Sequence, residues 1–110
     1  MAVARFQELR VYERAVELRQ RIFEHSTNWP KEERYALTDQ VRRSSRSIGA
    51  NIAEAWRKRR YPAAFVSKLS DAEAEAAETR AHLDFALGCG YIDRATHQAL
   101  DGTYDRVSRF

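Results

Sequence analysis

The chain has one cysteine, two prolines and four glycines in 110 residues, and no uninterrupted apolar run exceeds four residues, as in Ala63-Ala64-Phe65-Val66. Each scarcity closes a class of protein. Cys89 has no partner for an internal disulfide and no cysteine neighbour at a zinc or thioredoxin spacing. So few turn-forming residues cannot punctuate a fold of many short strands, so the elements must be long. Runs of four exclude a transmembrane helix, and no apolar stretch follows Met1-Ala2-Val3-Ala4-Arg5 to make a secretory leader. A cytoplasmic address is the resulting expectation.

Catalytic signatures are missing too. The sequence contains no phosphate-cradling Gly-x-x-x-x-Gly-Lys loop, no Gly-x-Gly-x-x-Gly fingerprint and no nucleophile motif. His25, His82 and His97 do not fall at a spacing that puts two metal ligands on one helical turn. Cys89, between two glycines, reads as loop packing rather than a catalytic thiol. No enzyme activity, metal, cofactor or small-molecule substrate is expected.

What is present suits a helical domain. Apolar residues make up 44% and charged residues 32%, with a mean hydropathy of -0.67, enough for one core under a well-solvated surface. Residues 1–110 are read as a single domain. Pro30, Pro62 and Gly88-Cys89-Gly90 divide it into four stretches, each read as a helix.

Helix one is expected over 7–26, with Leu9, Tyr12, Val16, Arg19 and Phe23 at three-or-four spacing and Ala15, Leu18 and Ile22 widening the stripe. Helix two is expected from Pro30 to Arg60. Proline tolerates a first turn, Glu32 and Glu33 complement its dipole, and thirty or so residues would span about 45 Å. Leu37, Val41, Ile48, Ile52 and Trp56 mark its buried side.

Helix three (62–87) carries Phe65, Leu69, Ala72, Ala76, Leu83 and Leu87, with Gly88 as the stop. Helix four (93–109) would be capped by Asp93 and buried through Ala99 or Leu100, Tyr104 and Val107, although Gly102 weakens it. Short connections favour antiparallel neighbours, hence an all-α, up-down antiparallel four-helix bundle.

The strongest polar feature lies on helix two. Over residues 42–60 the cations Arg42, Arg43, Arg46, Arg57, Lys58, Arg59 and Arg60 face one carboxylate, Glu54, for a local net charge of +6, against +3 for the whole chain. At 100° per residue, Arg42, Arg46, Arg57 and Arg60 would share one ridge, with Gly49, Ala50 and Ala53 as a flat saddle between its ends.

Arginine's planar fork suits phosphate oxygens, and Trp56 and Tyr61 are near enough to stack on unpaired bases, so one reading is a nucleic-acid surface. The other pairs these arginines with Asp71, Glu75 and Glu78, which line one face of helix three. The two are compatible if an oligomer uses some arginines between subunits.

The segment from Trp29-Pro30-Lys31-Glu32-Glu33 through Tyr35-Ala36-Leu37-Thr38-Asp39-Gln40, Arg42-Arg43, Ser47-Ile48 and Asn51-Ile52-Ala53-Glu54 resembles the hallmark of the four-helix-bundle proteins encoded in 23S ribosomal RNA intervening sequences, also called the S23 ribosomal protein family. Phe6-Gln7-Glu8-Leu9-Arg10-Val11-Tyr12 and Gly90-Tyr91-Ile92 extend the likeness over nearly the whole chain. Two positions depart: Ala55 stands where a glycine is common, and Ala74-Glu75 where Gly-Ser is usual.

The resemblance implies a cytoplasmic bacterial bundle, commonly a ring-like homopentamer, of poorly defined role. The chain is also similar to the accessory protein of diversity-generating retroelements, a pentameric bundle that works with a reverse transcriptase and nucleic acid. Expected partners are therefore further copies of itself, structured RNA or DNA, or a nucleic-acid-processing protein, with no membrane. The alternative is an oligomeric interaction scaffold or accessory subunit without nucleic-acid contact. Similar proteins often run a little beyond Phe110, so helix four is expected to be shortened.

Overall fold

A computed structural model describes the backbone of residues 3–107 and side chains through residue 104. A 3₁₀ turn, Phe6–Glu8, precedes α1 (Arg10–Ser26). Then come a 3₁₀ turn at Lys31–Glu33, a π turn at Arg34–Thr38, α2 (Asp39–Arg57), α3 (Pro62–Gly88) and α4 (Arg94–Val107). Among the described residues there is no strand, and no helix is long and apolar enough to cross a membrane. The side chain of Val107 and the expected helix end at 109 lie outside the described residues.

The helices run antiparallel, as their cross-contacts show. Arg43 meets Glu78 and Ser44 meets Thr79, while the later Glu54 meets the earlier Lys68. Arg42 reaches Ser26, whereas Gly49 lies against Tyr12. Arg80 pairs with Asp101 at 2.8 Å and Asp84 with His97 at 2.7 Å, so α4 returns along α3. Helix α4 also packs on α1, closing the four helices around one core.

That core is built from Leu18 and Ile22 of α1, Val41, Ile48 and Ile52 of α2, Ala72, Ala76 and Leu83 of α3, and Leu100 and Tyr104 of α4. Alanines on α3 keep its axis close to its neighbours. Ser44 and Thr79, both fully buried, sit 2.6 Å apart at the α2–α3 contact, and Thr79 also reaches the Glu75 carbonyl at 2.9 Å. The polar groups thus enter the seam already satisfied.

Four details differ from the sequence reading. On α1 the core row is Ala15, Leu18, Ile22 and Ser26, while Val16 and Phe23 remain 48% and 37% exposed. Both rows obey helical spacing, so periodicity alone could not choose between them; the row with Leu18 and Ile22 faces the core. Gly49 is buried under α1 instead of forming an outer saddle. A Cβ built there would touch Tyr12 and Ala15 at 3.7 and 3.9 Å, ordinary contact distances.

The second helix is also shorter than expected. Its α-helical part begins only at Asp39, after the 3₁₀ and π turns, and it ends at Arg57. Pro62 drives Tyr61 into extended geometry, φ -120° and ψ 92°, so the chain must leave α2 before it can restart. Pro62 then occupies the first turn of α3.

At the other end of α3 the turn is made by Gly90, whose φ of +77° favours glycine, rather than by Gly88. The Asp93 carboxylate accepts from the Thr96 amide at 2.7 Å and starts α4. That bond holds its carboxyl below the usual carboxylate range.

Ile48 has no exposed surface. Ile48→Ala should therefore lower unfolding stability by about 2–5 kcal/mol, read as a drop in urea midpoint at unchanged m-value. Gly49→Ala should be neutral or stabilising by up to about 1 kcal/mol, because helix propensity improves and the contact distances stay ordinary.

Candidate nucleic-acid interface

The fold sorts the seven cations of the 42–60 stretch into three groups. Arg42 and Arg43 are engaged by neighbours. The Arg42 Nε donates to Ser26 Oγ at 2.9 Å and its guanidinium lies 4.5 Å from the Phe23 ring centre. Arg43 donates to Glu78 and lies 3.5 Å from Glu75. The expected pairing of the 42–60 cations with α3 carboxylates therefore applies to Arg43, through Glu75 and Glu78.

Asp71 and Glu54 both turn to Lys68, at 3.9 and 2.7 Å. The hydrogen bond from Lys68 to Glu54, and that carboxylate's charge, hold the ammonium above its ordinary pKa. Lys68 had no part in the sequence reading, yet it neutralises the one acidic residue of the 42–60 stretch. Its position facing Glu54 depends on the α2–α3 register, which no local pattern encodes.

Arg46 forms a second group. It is exposed at the rim of a groove between α1 and α2, beside Tyr12, Val16, Arg19 and Ala50.

Arg57, Lys58, Arg59 and Arg60 are the third group. Arg57 ends α2, and the other three lie in the turn to α3, so Arg60 leaves the ridge on which helical geometry had placed it. Arg59 folds back over Trp56 at 4.2 Å from the ring centre and donates to its carbonyl at 2.9 Å. Among the described residues, no carboxylate lies within ion-pair distance of Arg46, Arg57, Lys58, Arg59 or Arg60. All five are exposed.

The aromatic residues divide similarly. Tyr61 is 66% exposed next to the basic turn. Trp56 is half-buried, with Arg59 over its ring. The turn can therefore offer several guanidinium and ammonium groups and one exposed ring to an anionic partner.

A comparison with family models matches residues 7–110 to the 23S rRNA-intervening sequence proteins. The chain belongs to that family. Its fold is similar to the crystal structure of a protein of unknown function from the S23 ribosomal protein family of Bacteroides thetaiotaomicron, with a TM-score of 0.80 and 29% identity. That match covers 90% of this chain and 88% of the other. No curated protein matches the chain.

Among the described residues, no three histidine, cysteine, aspartate or glutamate side chains gather where a metal ion could be held. His82, on α3 near the Arg43–Glu78 pair, has both ring nitrogens buried without a hydrogen-bond partner. Burial pushes its pKa down; the Glu78 charge opposes that shift and the Arg43 charge adds to it.

A histidine held neutral in the fold binds fewer protons there than in the unfolded chain. Its contribution is complete above the unfolded value of about 6.5 and is lost as pH falls from there through the depressed folded value. Wild type should lose stability over that window, and His82→Gln should flatten the loss; urea midpoints measured from pH 7.5 to 5 check this.

Proposed function

We propose that this family member is a non-enzymatic, homo-oligomeric nucleic-acid-binding protein whose phosphate contacts come from the basic turn Arg57–Arg60, with Arg46 as an outlying contact. The observation that carries the reading is the exposure of Arg57, Lys58 and Arg60 at one end of the bundle, with no carboxylate in ion-pair reach of them among the described residues. A run of cations with no carboxylate beside it concentrates positive potential where phosphate oxygens can replace water. Arg42 and Arg43 take a smaller part, because Ser26, Phe23, Glu75 and Glu78 already engage them.

The ring-like pentamer implied by the family resemblance belongs to the same proposal. Repeating one basic turn around a ring would raise the potential of a single copy into a continuous surface. The partly exposed Val16 and Phe23 give α1 an apolar strip of the kind subunits bury.

A scaffold without nucleic-acid contact is the second reading. It is favoured by the Arg43–Glu75–Glu78 cluster, in which one cation of the 42–60 stretch is taken up by helix pairing.

Anisotropy titration against a structured RNA and a DNA duplex at several salt concentrations separates the two readings. Arg57→Glu with Arg60→Glu should weaken binding at least about tenfold near 100 mM salt, and each lost phosphate contact should flatten the log-log salt slope by about 0.7–0.9. Arg43→Gln should change affinity less than threefold. No binding by wild type at low salt would remove the nucleic-acid reading and leave the scaffold.

A further inference from the structure

Beside the basic turn, the bundle has an apolar cleft. It has a volume of about 280 Å³ and lies between Leu9, which caps α1, Val11 in its first turn, Trp56 on α2, and Phe65 and Leu69 on α3, with Arg59 at its edge. Its walls come from three helices, and α4 contributes no lining residue. Phe65, Leu69 and Trp56 are each only half-buried, so the cleft is an unfilled extension of the core.

We propose that this cleft is a docking site for an acidic segment of a partner protein, which inserts one bulky apolar side chain while its carboxylates meet Arg57, Lys58 and Arg60. The inference stands apart from the nucleic-acid reading, although it uses the same cations.

Two features choose this occupant. Apart from Arg59, the lining residues are aliphatic or aromatic. A nucleobase pushed inside would leave its edge donors and acceptors unpaired, whereas a leucine or phenylalanine side chain needs no such partner. The cations are spread along a turn instead of converging on one point. Carboxylates distributed along a peptide match that spread better than the single head group of an amphiphile.

An apolar anchor seated in a pocket, with charged contacts at its rim, is a common economy of protein recognition. The anchor supplies affinity by burial, and the rim charges speed encounter and select acidic sequences. Arg59 already covers one face of the Trp56 ring and can keep doing so when the cleft is filled.

The probe is a fluorescein-labelled twelve-residue peptide with a central Phe-Leu pair flanked by aspartates and glutamates, titrated onto the full chain. One control replaces Phe-Leu with Ser-Ser, and another replaces the acidic residues with their amides. The anchored acidic peptide should bind at least tenfold more tightly than either control. Val11→Trp, which narrows the cleft from its wall, should weaken peptide binding tenfold or more and leave structured-RNA affinity within twofold.

In a Trp29→Phe background Trp56 is the one remaining tryptophan, and the peptide should protect it from acrylamide quenching. This second measurement does not depend on Val11→Trp folding. Equal binding of either control peptide, or unchanged quenching of Trp56, would overturn the proposal.

Discussion

The antiparallel register of α2 against α3 decides what every charge on this molecule is doing. It is locked where Ser44 and Thr79 meet without exposure to solvent, flanked by Ile48 on one helix and by Ala72 and Ala76 on the other. A slip of one turn would break the hydroxyl–hydroxyl bond, leaving Ser44 only the Val41 carbonyl and Thr79 only the Glu75 carbonyl of its own helix, and would unseat the small alanines from their places against α2. From that fixed point Arg43 must face Glu75 and Glu78, and Glu54 must face Lys68. The same register carries the chain past the last acidic residue of the α2–α3 contact before it reaches Arg57. Internal neutralisation of the middle and a bare cationic end are therefore one event.

Much of this could be read from the sequence. Pro62 and the Gly88–Gly90 region are strong punctuation, and the apolar spacing of Val41, Ile48 and Ile52 has a single helical solution, so four helices and their order follow from local chemistry. On α1 periodicity drew the stripe too wide: Ala15, Leu18 and Ile22 are in the core, whereas Val16 and Phe23 stay exposed, and only the positions of the other helices set that boundary. Periodicity failed at Lys58–Arg60, because projecting positions onto a helix presumes that the helix continues. The pre-proline restriction on Tyr61 was the available warning that it does not.

The charged site was legible as composition and illegible as geometry. Seven cations against Glu54 is a property of the string, and the string also supplied Asp71, Glu75 and Glu78 as possible partners. Which cations they take depends on side chains about 35 residues apart meeting across a helix pair. Lys68 shows the point most clearly, since its neighbours in sequence give no hint that it would face Glu54. The cleft was missed for a related reason: Leu9, Val11, Trp56, Phe65 and Leu69 each look like core residues, and only their assembly shows the space left between them.

The potential at the basic end has one further source to weigh, the helix dipoles. The turn joins the C-terminus of α2, which carries partial negative charge, to the N-terminus of α3, which carries partial positive charge. In an antiparallel pair these ends lie side by side and largely cancel, and Pro62 removes one of the free amides that α3 would otherwise present. What remains is the side-chain charge of Arg57, Lys58, Arg59 and Arg60, held on exposed and well-hydrated groups. Such a field attracts polyanions at long range and is screened within about 10 Å at 0.1 M salt. Selection among anionic partners must then come from short-range features next to the charge, and at this end of the bundle those are the Tyr61 ring and the apolar cleft behind Trp56.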